Sequence, residues 1–278
     1  MASNAMAAAN ILNYVPELWS KSVKADVEHA LVIASHVDRQ YQADLTVGDR
    51  IHVPNVANLT ANAVNTEQDI TLNDAIQNED IIIINQWYEA AVGIQDMHLA
   101  QITPVSLQTL SKKSGYAIAK QIDTYLAGLF NEFSQTVGTE GSAIKDDVLL
   151  QAKEYLDLAD APFEGRVLII DPESLTDLLK IDKFVRMDYV PGGAVQNGQV
   201  GRIYGCDVFV TNNLEAINTS YHGAAMMQKE AIALIMQQEP KTVTWHWDER
   251  HTHVIQCTAI WGALEMRDTF GVWIKTRS

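Results

Sequence analysis

Lysine is missing from residues 25 to 111. Over that span only Arg39 and Arg50 oppose twelve carboxylates, so about ten of the chain's fifteen excess negative charges sit in roughly a third of its 278 residues. Cysteine is scarce as well. Cys206 and Cys257 are too few for a disulfide framework, and no metal-type Cys pair exists, which fits folding in a reduced, cytoplasmic setting. Long apolar runs are absent: stretches such as Ile81 to Ile84 are far shorter than the ~20 residues that cross a bilayer, so no membrane partner is expected. Met1 to Asn10 carries no basic residue ahead of an apolar stretch, which argues against a signal peptide. No repeat of solenoid length is visible.

The familiar catalytic patterns are missing too. Gly193 and Gly198 have phosphate-loop spacing, but Gln199 and Val200 follow where Lys and Ser or Thr are needed. No serine lies in a nucleophile elbow. The acidic pairs Asp146/Asp147 and Glu79/Asp80 are consecutive, so they are expected to point apart as solvated faces. A net charge of −15 opposes tight phosphate binding, which depends on Lys and Arg displacing counterions. One cluster merits weighing: His246, His251 and His253, with Asp248 and Glu249 between them. On a strand, His251 and His253 would share a face and both reach a metal, with the third ligand undecided. The plainer reading is a polar strand face near a turn. No cofactor is expected.

What is present is a folded chain, 47 % hydrophobic and 20 % charged, with an odd limb. Residues 16–36 carry Leu18, Trp19, Val23, Val27, Ala30, Leu31 and Ala34 at helical steps, an amphipathic stripe that needs a partner surface. Leu45 to Val56 alternates as a strand, with Pro54 ending it or marking an edge. Ala57 to Asp80 is polar, holds five asparagines and cannot build a core. A second β-rich run follows through Ile84, Trp87, Tyr88 and Val92. Together these predict a long hairpin whose tip is the polar segment, marginal by itself in water.

Pro104 opens a long helix after Thr103 as cap, with apolar residues from Leu107 to Phe133 at helical spacing over about 45 Å. A second helix is expected from a Ser142 cap to just before Pro162. Arg166 to Ile170 reads as a buried strand, and Asp171-Pro172-Glu173 as a helix start. Val190 to Gly201 reads as a flexible loop and Cys206 to Thr211 as a strand. Thr242–Asp248, His251–Trp261 and Gly271–Thr276 read as closing strands. Mixed blocks without βαβ alternation give an α+β class. The tryptophans, Trp19, Trp87, Trp245, Trp247, Trp261 and Trp273, are expected in the core or at interfaces.

Several phrases carry a likeness. Val47-Gly48-Asp49-Arg50-Ile51-His52-Val53-Pro54 resembles the rising strand of the extended loop in the major capsid proteins of tailed bacteriophages, the Hong Kong 97-like fold. Ile94-Gln95-Asp96 with Gln101, and Ala117 to Asp123, are similar to the approach to that family's spine helix and to the helix itself. Gly223 to Leu234 and Trp261 to Ile274 resemble its closing segments, so the likeness runs from about Pro16 to the end.

The resemblance implies a non-enzymatic virion subunit that forms pentamers and hexamers of an icosahedral head around double-stranded DNA, assembled in the host cytoplasm. It implies an N-terminal arm (1–43), an extended loop (44–80), a peripheral domain with the spine helix (81–140), an axial domain (141–240) and a C-terminal β region (241–278). Expected partners are further copies of the chain, scaffolding protein, portal and a decoration protein, with DNA only loosely near. Candidate inter-subunit contacts are Asp49 and Glu67 on the loop, with Arg39, Arg50, Lys112, Lys113 and Lys120 as the counter-charges for neighbouring loops. Some relatives weld a loop lysine to a neighbour's asparagine; here the loop has no lysine, so a non-covalent shell is expected. Two other readings stand beside this one: an encapsulin-like nanocompartment shell, and a metal-dependent hydrolase using His246, His251 and His253.

Overall fold

The structure, a computed structural model, describes residues 32–44, 48–56, 61, 77–99, 104–181, 201–214, 216–218 and 221–277. The expected arm helix before residue 32, Trp19, Thr103, Glu67, nearly all of the hairpin tip and the loop from 190 to 200 lie outside these residues. Where the arm enters, Ile33–Ser35 forms a single 3-10 turn.

Strands β1 (Arg50–Val56) and β2 (Gln77–Ile83) pair antiparallel, from Arg50 opposite Ile83 to Val56 opposite Gln77, and among the described residues neither pairs with another strand. Pro54 lies inside β1, where an edge position tolerates its missing N–H. Next comes β3 (Gln86–Gln95), which leads into the short helix α1 (Asp96–Leu99) and the long helix α2 (Pro104–Gly128).

At 25 residues α2 is roughly 38 Å long, shorter than the sequence promised. After Gly128, a poor helix former, the chain tightens into a 3-10 turn at Leu129–Glu132. The apolar stripe continues through that turn, with Leu129, Phe130 and Phe133 buried.

Helix α3 (Asp146–Leu158) starts three residues later than expected, with Lys145 in place of Ser142 at its N-cap position. Ser142 caps nothing; its N–H donates to the Thr139 carbonyl at 3.1 Å, in a turn where Gly141 takes φ +72°. The first helical turn carries Asp146 and Asp147 instead, placed at the positive end of the dipole. Asp146 is not simply solvated either: the Tyr204 hydroxyl donates to its carboxylate. Strand β5 (Arg166–Ile170) is buried throughout. Helix α4 (Pro172–Leu178) begins as anticipated, with the Asp171 carboxylate accepting from the Glu173 and Ser174 N–H groups.

Most of the remaining strands build a seven-stranded mixed sheet. With β4 (Gln135–Gly138), β6 (Arg202–Ile203), β7 (Cys206–Val210), β8 (Ala216–Asn218), β9 (Tyr221–Gln228) and β12 (Gly271–Lys275), the order is β4-β12-β9-β5-β7-β6, and β8 also pairs β9. Helix α3 packs against it through Leu149, Ala152 and Leu156. A separate three-stranded sheet joins β10 (Ile232–Trp247) to β11 (Thr252–Glu265) and β11 to β3.

β10 and β11 outrun the predicted strands. Ile232 to Met236 is buried on both sides, and a continuous apolar run hides the alternation that marks a half-buried strand. Helix α2 lies on the inner face of this sheet, its Ile118, Ile122 and Leu126 sharing one core with Cys257, Ala259 and Trp261.

Candidate assembly surface

Two apolar clusters meet at the root of the hairpin. The large one fills the body. The small one gathers Ile82 and Ile84 with Ala233 and Ile235, flanked by Tyr41, Ile51, Val53, Ile260, Leu264 and Met266. In register, Ala233 opposes Leu264 and Ile235 opposes Gly262, so these residues occupy the face of the β10–β11 ladder turned away from the main core. Among the described residues, this cluster seats the root of the hairpin on the body.

Gly262 makes that seat possible. A Cβ there would overlap the Ile83 carbonyl oxygen and lie 2.9 Å from the Ile84 Cα. The Ile84 N–H donates to the Asp49 carbonyl at 2.9 Å, closing the hairpin base, and the Gln237 side chain donates to the Gly48 carbonyl at 3.0 Å.

The sequence candidates fall on two regions. Asp49 and Arg50 are exposed at the start of β1, their side chains 3.7 Å apart. Across the strands, His52 Nδ1 lies 3.1 Å from Glu79. Lys112, Lys113 and Lys120 project from the solvent face of α2 beside Tyr116, since residues spaced by about four share a helix face. Arg39 is exposed, but its guanidinium donates to the Ala34 carbonyl at 3.0 Å within the chain.

Two features were not foreseen. Asp123, fully buried on α2, accepts from the Val32 N–H at 3.1 Å, the Ala34 N–H at 3.4 Å and the Asn213 amide at 3.4 Å. Burial pushes its pKa upward, and those donors hold it back. Asp38 continues the seam, its N–H donating to the Ile232 carbonyl and its carbonyl accepting from the Leu234 N–H. The end of the arm is therefore stitched to α2 and β10.

The second feature is the outer face of the three-stranded sheet. Trp261 and Trp273 are buried, but Trp87 is 74 % exposed, and Val243 and Trp245 are exposed as well. Register puts Trp87 opposite Ile260, and Val243, Trp245 and Trp247 alternate along the same side of β10. An apolar strip of this kind on an open sheet face suits contact with another molecule.

The histidine cluster differs from its expected form. His251 is not on a strand; it closes the Asp248–Arg250 turn in the left-handed region, φ 46°, and so does not share a face with His253. His246 and His253 are instead direct cross-strand partners, ring centroids 4.6 Å apart, and the third neighbour is Asp96 at the start of α1. Asp96 was legible only as part of the Ile94-Gln95-Asp96 phrase, about 150 residues away in sequence.

The comparisons agree with this architecture. Residues 41–275 match the family model described as phage capsid protein. Among solved structures, a chain of Mycobacterium phage Che8 superposes with a TM-score of 0.74 at 19 % identity, covering 88 % of this chain and 90 % of that one. The capsid of cyanophage P-SCSP1u gives 0.70 at 16 %, covering 83 % and 84 %. A virus-like particle from Pyrococcus furiosus gives 0.62 at 11 %, covering 94 % and 99 %. No curated protein matches. With a family model spanning most of its length, and a fold shared with phage capsids, the chain belongs to the phage capsid protein family and has the Hong Kong 97-like fold.

Proposed function

We propose that this chain is a major capsid subunit that assembles as pentamers and hexamers into the icosahedral head of a tailed phage, around double-stranded DNA and in the host cytoplasm. The observation that carries the reading is the β1–β2 hairpin, which pairs with no other strand among the described residues and is seated on the body through a small apolar cluster at its root. Two strands alone are marginal in water, so a neighbouring copy is the natural support. The domain division follows: arm 1–43, loop 44–80, peripheral part 81–140 around α2, axial part 141–240 and a C-terminal return from 241. The role is structural, not enzymatic. Scaffolding protein, portal and a decoration protein are its further partners, and the acidic charge lets DNA pass without sticking. The phage family model favours this reading over a nanocompartment shell.

Electron microscopy of the expressed, purified protein tests it: closed shells or capsomer rings are expected, and a protein that stays monomeric at high concentration overturns it. The same particles test the absence of cross-links. Boiled in detergent they should run as single subunits, because no lysine is available anywhere from residue 25 to 111. A ladder of linked subunits defeats that part.

Arg50, together with Arg39 and the exposed α2 lysines, is proposed as a counter-charge for a neighbour's acidic loop, on which Glu67 lies. Arg50→Glu reverses an exposed charge. It is expected to leave the thermal transition within about 0.5 kcal/mol of the parent, because surface charges contribute little. The assembly threshold should rise by roughly tenfold or more, because one weak contact is repeated at every subunit. Light scattering against concentration reads the threshold; normal assembly by the folded variant counts against the assignment.

A further inference from the structure

Asp96, His246 and His253 come from three separate elements and converge on one point. Their nearest donor atoms lie within 4.8 Å of one another. His246 Nε2 is 3.1 Å from both oxygens of Asp96, and His253 Nε2 is 3.6 Å from Asp96 Oδ1. Tetrahedral ligands held at ~2.0–2.1 Å from zinc are roughly 3.4 Å apart, so these spacings bracket a tetrahedral edge. On its other side, His246 Nδ1 lies 2.6 Å from Asp248 Oδ1. A carboxylate on the far nitrogen orients a metal-binding imidazole and makes it more basic.

We propose that these three residues form a binding site for a zinc-class divalent transition metal, with Asp248 positioning His246. Two imidazoles and one carboxylate suit Zn²⁺, Co²⁺ or Ni²⁺ better than Mg²⁺ or Ca²⁺, which take oxygen ligands. With Nδ1–H committed to Asp248, His246 Nε2 and the Asp96 carboxylate are two acceptors facing each other. Such a pair requires a cation between them, either a proton or a metal. The His253 nitrogen, turned to the same carboxylate oxygen, is a third donor that a single proton on His246 does not use. A metal satisfies all three.

The site pins the turn from β3 into α1 against the far end of the β10–β11 ladder. It is partly exposed, with the three side chains between 31 % and 42 % accessible. That leaves at least one coordination position for water or for a group from another molecule. The role is structural bracing, and it holds whether or not the shell reading above is correct.

Titration of the full-length, tag-free protein with Zn²⁺ alone, after chelator treatment, should give one site per subunit and raise the melting temperature by several degrees. Co²⁺ should give visible d–d bands of tetrahedral intensity. His253→Gln and Asp96→Asn, both on partly exposed side chains, should each weaken binding at least tenfold while folding without metal as the parent does. The proposal is overturned if neither metal binds, if both variants bind as the parent does, or if raising the pH changes stability while Zn²⁺ changes nothing. The last result would identify the cluster as a proton-held ion pair.

Discussion

Gly262→Ala is expected to abolish shell formation while leaving a folded subunit. The added methyl would sit on the Ile83 carbonyl oxygen and 2.9 Å from the Ile84 Cα. Both are backbone atoms, so no rotamer change relieves the overlap; either β2 lifts or β11 moves. β11 is held between β10 and β3 along most of its length, whereas among the described residues β2 pairs only with β1, so the hairpin gives way. Lifting it strains the hydrogen bond from the Gln237 side chain to the Gly48 carbonyl and opens the cluster of Ile82, Ile84, Ala233 and Ile235. Overpacking of this kind costs about 1–3 kcal/mol. The cost falls on the root of one limb, so the main thermal transition should shift little. Proteolysis within residues 48–84 should speed up several-fold, and scattering should show no particles under conditions where the parent assembles. Because the obstructing atoms are main chain, trimming Ile83 to Ala should not rescue assembly. Parent-like assembly by Gly262→Ala would show that the hairpin does not depend on this seat.

The first strand of that limb was readable from sequence, and the reasons are local: the alternation around Asp49 to Val53 and a proline tolerated at an edge act within a few residues. Its partner was misplaced: β2 starts at Gln77, inside the stretch read as the polar tip, and Trp87, Tyr88 and Val92, read as the second hairpin strand, pair with β11 instead. The Asp171 cap and the apolar stripe of α2 were legible for the same reason. What escaped reading depends on distant pairing. Ile232 to Met236 is a strand because two layers cover it, which no period reveals. Ser142 looked like a cap, yet Gly141 turned the chain before the helix began. Asp123 gives no outward sign that it will hold the arm. The site at His246 joined a visible pair of imidazoles to a carboxylate brought in by the β11–β3 register, while left-handed backbone at His251 removed the residue that spacing favoured. Gly262 stood inside the Trp261 to Ile274 segment, but the reason for a glycine there is a strand some 180 residues earlier.

Asp157→Asn is expected to destabilise the subunit by about 2–4 kcal/mol. Arg166 opens β5 with its side chain 2 % exposed, and its Nη1 donates to Asp157 at 2.6 Å. Its other nitrogens donate to the Pro162 and Ala161 carbonyls, and its guanidinium lies 4.4 Å from the centre of the Phe163 ring. The pair therefore locks the C-terminal end of α3 to β5 across the intervening loop. Removing one partner of a buried ion pair typically costs about 3–5 kcal/mol, because the remaining charge stays desolvated; Asp157 is 34 % exposed, which lowers the figure. Lys153 does not replace it: at 31 % exposure its ammonium bonds the other carboxylate oxygen from solvent's side.

The hydrogen bonds from Lys153 and then Arg166 hold the Asp157 pKa below the usual carboxylate range. Stability from this group is therefore complete above the unfolded-state carboxylate pKa and is lost as pH falls through the lower folded value. Urea melts across pH 3 to 7 should show the parent losing its advantage over Asp157→Asn toward the acid end. In a double-mutant cycle with Arg166→Met, the second substitution should cost much less in the Asn background than in the parent. Equal costs in both backgrounds, or a loss below about 0.5 kcal/mol for Asp157→Asn, would mean that the loop is held by the two carbonyls alone.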